Sequence, residues 1–182
     1  MTSHPSKLLL MDACVLIDYL KTERSVLELF AKHIGPLHVV SSVAEEVREI
    51  ERLDELTEIG LIIVEPELED AFVAAGQIGP TSFQDKLCLF TARRYGFTCV
   101  TNDKNLRKLC VQEKVPLIWG LELLVTLHRA GGIPANDAED IAEKIHESNP
   151  KHITRKIISK FKTMIRKQEQ SSAPEFSRQK NK

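Results

Sequence analysis

The chain has 182 residues, enough for one domain with a sizeable core, and its 42% hydrophobic content is ordinary for a globular protein. Residues 1–150 carry 15 Lys and Arg against 24 Asp and Glu, whereas residues 151–182 carry 10 against 2, so a basic tail follows an acidic body. The apolar run before Asp12 is too short for a signal peptide or a membrane span, which predicts a cytoplasmic protein with no membrane partner.

Five short apolar runs alternate with helical segments along the chain. They lie at residues 8–11, 37–40, 61–64, 98–101 and 115–119. Continuous apolar runs of this length are typical of strands buried on both faces of a parallel sheet. The alternation therefore predicts an α/β fold with a central parallel sheet of about five strands.

Apolar spacing and capping signals place the helices between these runs. The predicted helices span residues 15–20, 26–34, 42 to about 59, 67–78, 83–95, 104–112, 121–129, 135–147 and 153 to about 167. We expect residues 1–132 to form the main domain and residues 133–170 a basic helical extension. Residues 171–182 are polar and are predicted to be a disordered tail.

Cysteine and histidine spacing argues against two kinds of site. The six histidines are scattered and show no zinc-binding spacing. The cysteines lie in or beside apolar runs without any C-x-x-C pair, which predicts buried free thiols rather than a disulfide framework; they are Cys14, Cys88, Cys99 and Cys110.

Two aspartates follow predicted strands directly. Asp12 comes after the first apolar run, and Asp103 comes two residues after the fourth. Each one fits either the N-cap of the next helix or a functional carboxylate, because ligands bind where parallel strands end.

Two further acids lie near helix starts. Glu46 lies on the flank of the apolar stripe of its predicted helix, whereas Glu45 and Glu49 point away. Asp85 stands three residues after Ser82, so it fits a capping box as well as a functional role. Taken singly, each acid has an ordinary structural explanation.

Together the four acids predict a cation site. Carboxylates gathered at one sheet edge repel one another and raise their proton affinities unless a cation is shared. Ligands that are all oxygen favour Mg²⁺ or Mn²⁺ over softer metals.

The residues around these acids resemble the PIN-domain family of metal-dependent nucleases, notably the VapC-type toxin endoribonucleases. The resemblance covers about residues 7–120. It rests on MDACVLI at 11–17, SVAEEV at 42–47, Asp85 with Ala92 and Gly96, and VTNDKNL at 100–106.

The resemblance implies a three-layer α/β/α domain with an acidic pocket at the carboxyl end of the sheet. It implies that Asp12 and Asp85 bind Mg²⁺ or Mn²⁺, that Glu46 and Asp103 complete the pocket, and that Thr101 orients a ligand or water. Cys14 departs from the pattern, since many members have Asn or Ser there. The activity implied is hydrolysis of RNA phosphodiester bonds by a metal-dependent endoribonuclease.

RNA would need basic residues to approach an acidic body. The candidates are Lys86, Arg93, Arg94, Lys151, Arg155 and Lys156. The resemblance to toxins also implies an antitoxin protein as partner, and PIN proteins commonly form homodimers. The basic tail is itself a candidate to cover the pocket, which truncation after Pro150 would test.

Three other functions compete with that of a nuclease. A haloacid-dehalogenase-type phosphatase needs a second Asp at position 14, where this chain has Cys14. A dinucleotide-binding domain needs a glycine-rich turn after the first strand, and this chain has none. The remaining alternative is a catalytically silent PIN-like module that binds RNA or protein.

Overall fold

The computed structural model describes residues 8–172, with side chains described through residue 167. The predicted tail therefore lies, from residue 173 onward, outside the described residues. The strands are β1 (Leu9–Met11), β2 (Leu37–Val40), β3 (Leu61–Val64), β4 (Thr98–Val100) and β5 (Leu117–Ile118). The helices are α1 (Ala13–Thr22), α2 (Ser25–His33), α3 (Ser41–Ala44), α4 (Asp54–Glu58), α5 (Leu68–Gly76), α6 (Phe83–Tyr95), α7 (Lys104–Gln112), α8 (Glu122–Arg129), α9 (Ala135–Ser148) and α10 (Arg155–Ser172).

The five strands form one parallel sheet in the order β3-β2-β1-β4-β5. From β1 the chain moves outward to β2 and β3, and it then returns to the other side of β1 to form β4 and β5. The boundary between β1 and β4 is thus a topological switch point, where α/β proteins open a crevice at the carboxyl ends of the strands. Asp12 and Thr101 follow these two strands directly.

Helices cover the sheet and bury its central strands. Helix α6 packs against β1, β2 and β4 with α5 and α7 beside it, while α2 packs against β2 and α8. Every residue of β1, β2 and β4 is buried, as the continuous apolar runs predicted. The predicted α/β class is confirmed, and the arrangement is consistent with three α/β/α layers.

The helix predicted from residue 42 to about 59 is wrong. Helix α3 ends at Ala44, and turns at residues 45–53 separate it from the short α4. The carboxylate of Glu55 accepts hydrogen bonds from the backbone N–H groups of Glu51 and Arg52, both at 3.0 Å. Because these two amides bond to a side chain, they do not continue a helical ladder from α3.

The other predicted helices are present, and several have shifted ends. The predictions at 83–95 and 104–112 match α6 and α7 completely, whereas the last helix starts at Arg155 and continues to Ser172. Apolar spacing shows which helix face is buried but not where backbone hydrogen bonding stops. Within residues 8–172, no helix is both long and apolar enough to cross a membrane.

The C-terminal extension shares the hydrophobic core of the preceding domain. Helix α9 packs against α1 and α8, and α10 packs against α8 and α9. Ile145, Phe161 and Ile165 are buried within the same apolar cluster as the sheet. Lys162 of α10 lies 2.9 Å from a carboxylate oxygen of Glu143 on α9. The core therefore continues across the predicted boundary at residue 132.

Replacing Phe161 by Ala tests whether the extension is an integral part of the core. We expect Phe161→Ala to lower the free energy of unfolding by about 3 to 5 kcal/mol, because a fully buried ring leaves a cavity. Urea denaturation measures this change. The matched control is the exposed neighbour Lys160→Ala, which should change stability by less than about 0.5 kcal/mol. Equal effects of the two substitutions would contradict a shared core.

Candidate functional site

Asp12 is a buried carboxylate at the carboxyl end of β1. Only 2% of the residue is exposed. It occupies the N-cap position of α1, but its side chain does not cap that helix. Its Oδ2 atom instead accepts hydrogen bonds from the Thr101 hydroxyl at 2.7 Å and from the Cys14 thiol at 2.9 Å. The N-cap explanation considered for Asp12 therefore does not account for its carboxylate.

Thr101 links the ends of β1 and β4. Its hydroxyl donates to Asp12 and also accepts the backbone N–H of Asp103 at 3.0 Å. The carboxylate of Asp103 caps α7, because its Oδ1 accepts the amides of Asn105 and Leu106, each at 2.8 Å. Asp103 thus combines the ordinary capping role with a position next to Thr101.

Asp85 lies in the first turn of α6 and forms a capping box with Ser82. The Asp85 amide donates to the Ser82 hydroxyl at 3.0 Å, and the Ser82 amide donates to the Asp85 Oδ2 atom at 3.1 Å. This reciprocal pair fixes the start of α6 and the orientation of the Asp85 carboxylate. The capping role anticipated from the sequence is present.

Glu46 is exposed and lies in the turn that follows α3. Its neighbour Glu49 forms an ion pair with Lys21 at 3.0 Å. Partial desolvation by the surrounding residues, followed by the charge of Asp85, raises the pKa of the largely exposed Glu46 carboxylate. Glu46 is therefore near Asp85 even though the long helix from which its orientation was predicted does not exist.

The four carboxylates form one electrostatically coupled group. Burial, together with a smaller contribution from the charge of Asp85, raises the pKa of Asp12 to about 6. Burial also raises the pKa of Asp85, with an added contribution from the charge of Asp103. The charge of Asp85 thus acts on both Asp12 and Glu46, and the charge of Asp103 acts on Asp85.

The chemistry of this group fits a hard divalent cation. All of the donors are carboxylate oxygens, the ligands that Mg²⁺ and Mn²⁺ prefer. A cation would also offset the cost of burying the Asp12 charge and the smaller repulsion from Asp85, which together raise the pKa of Asp12. As arranged within residues 8–172, however, no three His, Cys, Asp or Glu side chains form a group that could hold a metal ion.

A buried polar network next to the acids was not predicted from the sequence. Asp18 accepts hydrogen bonds from the side-chain amides of Asn102 at 3.1 Å and of Asn149 at 2.9 Å. Asn102 also accepts the Gly120 amide at 3.0 Å. The network fixes the segment between Thr101 and Asp103 and ties it to the end of α9. The sequence contains one indication of this network, because Asp18 interrupts the apolar stripe of α1.

Cys14 has a contact at the site that the sequence did not predict. The sequence showed it only as a departure from the PIN-domain pattern, whereas its thiol donates a hydrogen bond to Asp12. Its Sγ atom also accepts the backbone N–H of Asn102 at 3.4 Å. Burial, followed by the Asp12 charge, raises the pKa of this thiol, which favours the protonated form that donates to the carboxylate.

The three basic residues predicted on α6 form intramolecular contacts. Lys86 is buried, and its ammonium group donates to the Gln77 carbonyl at 2.5 Å. Arg93 pairs with Glu113 at 2.7 Å, and Arg94 pairs with Asp70 at 2.7 Å. A role for these residues in RNA binding stays a prediction.

The three basic residues predicted in the extension are exposed. Lys151 lies in the turn between α9 and α10, and Lys156 lies in the first turn of α10. Arg155 pairs with Glu143 of α9. Their contact with RNA also stays a prediction.

Comparison with known proteins does not identify a family. No protein-family model matches the chain, and no curated protein matches it. The PIN-domain resemblance therefore stays a prediction from the sequence.

Asp12→Asn tests the buried charge directly. The shift of the Asp12 pKa from 3.8 to about 6 corresponds to about 3 kcal/mol. Because the folded-state pKa is raised, the protonated Asp12 carboxyl contributes this stability in full below about pH 4, and the contribution is lost as the pH rises through about 6. Without added metal, we therefore expect Asp12→Asn to be more stable than the natural protein at pH 8, with a smaller difference at pH 4. Urea denaturation across this pH range measures the effect.

The control for this experiment is Asp140→Asn, which removes an exposed carboxylate from α9. Its effect on stability should be small and nearly constant over the same pH range. If the Asp12→Asn difference were equally constant, the titrating carboxylate would not be Asp12.

Proposed function

We propose that the protein is a PIN-like endoribonuclease that uses Mg²⁺ or Mn²⁺ to hydrolyse RNA phosphodiester bonds. The observation that carries the proposal is the placement of buried Asp12 beside Asp103, both held by Thr101, with the charge of Asp85 acting on Asp12 and Glu46. The group lies at the carboxyl edge of a parallel sheet, next to its switch point. The choice of RNA as substrate comes from the sequence resemblance.

Asp12 and Asp85 are the proposed principal ligands, with Glu46 and Asp103 completing the pocket. A bound cation would lower the pKa of a water molecule and neutralise charge that develops on the phosphate oxygens. Thr101 and Cys14 hold the Asp12 carboxylate through two hydrogen bonds, so its orientation does not depend on the substrate.

Capping bonds give the ligands different freedom to move. Asp85 and Asp103 each use a carboxylate oxygen to bond backbone amides at the start of a helix. Glu46 is exposed on a turn and has the most room to swing toward an ion. Assembly of the site would therefore proceed chiefly by movement of Glu46 toward the more rigid Asp12 and Asp85.

One observation favours the alternative, a catalytically silent module that binds RNA or protein. The carboxylates of Asp85 and Asp103 already serve as helix caps, so their presence has a structural explanation without catalysis. Asp12 distinguishes the two proposals, because a buried charge of this kind costs stability and has no capping role.

A toxin role and covering of the pocket by the basic tail are proposals independent of the catalytic one. An antitoxin would be expected to place Arg or Lys among the carboxylates. The described part of α10 packs on α8 and α9, and Arg155 and Lys162 pair with acids of α9. Because the extension also contributes to the core, truncation after Pro150 would test stability together with any covering of the pocket.

RNA cleavage with purified protein tests the proposal. We expect cleavage of single-stranded RNA with Mg²⁺ or Mn²⁺ and none with EDTA. Asp12→Asn and Asp85→Asn should each lower the rate by more than about 100-fold, because even loss of a residue that only supports a ligand costs up to about that much. Gel electrophoresis of end-labelled RNA measures the rate.

Two neighbouring glutamates provide the matched control. Glu46→Gln should lower the cleavage rate, whereas Glu45→Gln, which removes the same charge from the adjacent position, should leave it nearly unchanged. Absence of cleavage with both ions would contradict the proposal. Cleavage that persists unchanged in Asp12→Asn and Asp85→Asn would contradict it equally.

A further inference from the structure

A groove with a basic rim lies between α7 and β5, next to the acidic group. We call it the α7–β5 groove; its lining includes Lys104, Arg107, Lys108, Val111, Leu117 and Trp119. Its volume is about 520 Å³, within the range of sites that bind small ligands. The groove combines cations with apolar surface.

Two cations of the groove, Lys104 and Lys108, are available to an anionic ligand. Lys104 and Lys108 are exposed, and within residues 8–172 neither forms an ion pair with an acid. They differ in this respect from Arg93 and Arg94, which pair with acids. Their spacing of four residues places both on one face of α7.

An aromatic platform forms one wall of the groove. The guanidinium carbon of Arg107 lies 3.6 Å from the centre of the Trp119 ring, which is a cation–π contact. The Trp119 backbone N–H donates to the Glu122 carboxylate at 3.0 Å, so the position of this residue is fixed from a second side. Arg107 covers this face of the indole, and its planar guanidinium, held over the ring, presents a flat surface on which a base can stack.

The groove is physically joined to the candidate site. Lys104 directly follows Asp103 in the chain. Arg107 donates to the carbonyl of Thr101 at 3.0 Å, and the hydroxyl of Thr101 holds Asp12. A ligand in the groove would thus extend along α7 from the acidic group over about 10 Å, the length of two helical turns.

We propose that the α7–β5 groove binds the single strand of RNA next to the scissile phosphate. Lys104 and Lys108 contact backbone phosphates, and a base stacks on the Trp119–Arg107 platform. Single-stranded nucleic acid has both features that the groove recognises, a charged backbone and exposed base faces. This inference rests on the proposed function for its substrate class, but binding can be measured without cleavage.

The fluorescence of Trp119 reports ligand binding in the groove, because Trp119 is the only tryptophan of the chain. The full-length protein is titrated with single-stranded oligouridine in EDTA, which prevents metal-dependent cleavage, and the tryptophan fluorescence is followed. We expect saturable quenching as a base stacks on the Trp119–Arg107 platform. An acidic polyglutamate peptide of equal charge is titrated in parallel.

Lys104→Ala/Lys108→Ala tests the phosphate contacts. We expect it to weaken oligouridine binding by about tenfold or more and to lower the slope of log K against log salt by about 1.4, since each lost contact contributes about 0.7. The control is Lys32→Glu, which changes the net charge by the same two units at an exposed position on α2. It should bind nearly as well as the natural protein, and the tryptophan emission of both free variants should be unchanged.

Three results would overturn the groove assignment. They are an absence of quenching, equal loss of binding in Lys32→Glu and the double variant, and equally strong binding of polyglutamate. If oligouridine binds as expected but RNA is not cleaved with Mg²⁺ or Mn²⁺, the groove assignment stands and the nuclease proposal fails. If RNA is cleaved but the double variant binds and cleaves normally, the groove assignment fails and the nuclease proposal stands.

Discussion

The hydrogen bond between Thr101 and Asp12 organises the carboxyl edge of the sheet. At 2.7 Å it joins the residues that follow β1 and β4, the two strands at the topological switch point. The same hydroxyl accepts the amide of Asp103, so the starts of α1 and α7 are tied together. Burial of Asp12 makes this arrangement costly when the carboxylate is ionised. The carboxyl edge therefore concentrates negative charge in a position where a cation would be stabilising.

The sequence predicted the parallel sheet because its central strands are continuously apolar, a pattern that burial on both faces requires. It also offered helix capping as the ordinary explanation of Asp85 and Asp103, and both caps are present, because capping depends only on residues nearby in the chain. The long helix around Glu46 was mispredicted, since α3 ends at Ala44; farther along, the Glu55 carboxylate accepts two amides, a competition that apolar periodicity does not reveal.

Features that depend on tertiary contacts were beyond sequence reasoning. Asp18 meets Asn149 across 131 positions of the chain, and no local pattern reports such a contact. The predicted RNA-binding residues Arg93 and Arg94 could be identified as basic, but their acidic partners are distant in sequence. The extension was separated from the main domain by its charge, whereas its apolar residues continue the same core. Through Asp18, that extension is also connected to the segment that carries Asp103.

The central claim is that Asp12 is a buried, charge-crowded carboxylate whose ionisation a shared cation favours. Titration of the Asp12 carboxyl carbon by ¹³C NMR, assigned by its loss in Asp12→Asn, tests this claim most directly. Without metal the pKa should be about 6, and excess Mg²⁺ should lower it because a bound cation favours the charged form. A pKa near 3.8 without metal, or a raised pKa that Mg²⁺ does not change, would contradict the account.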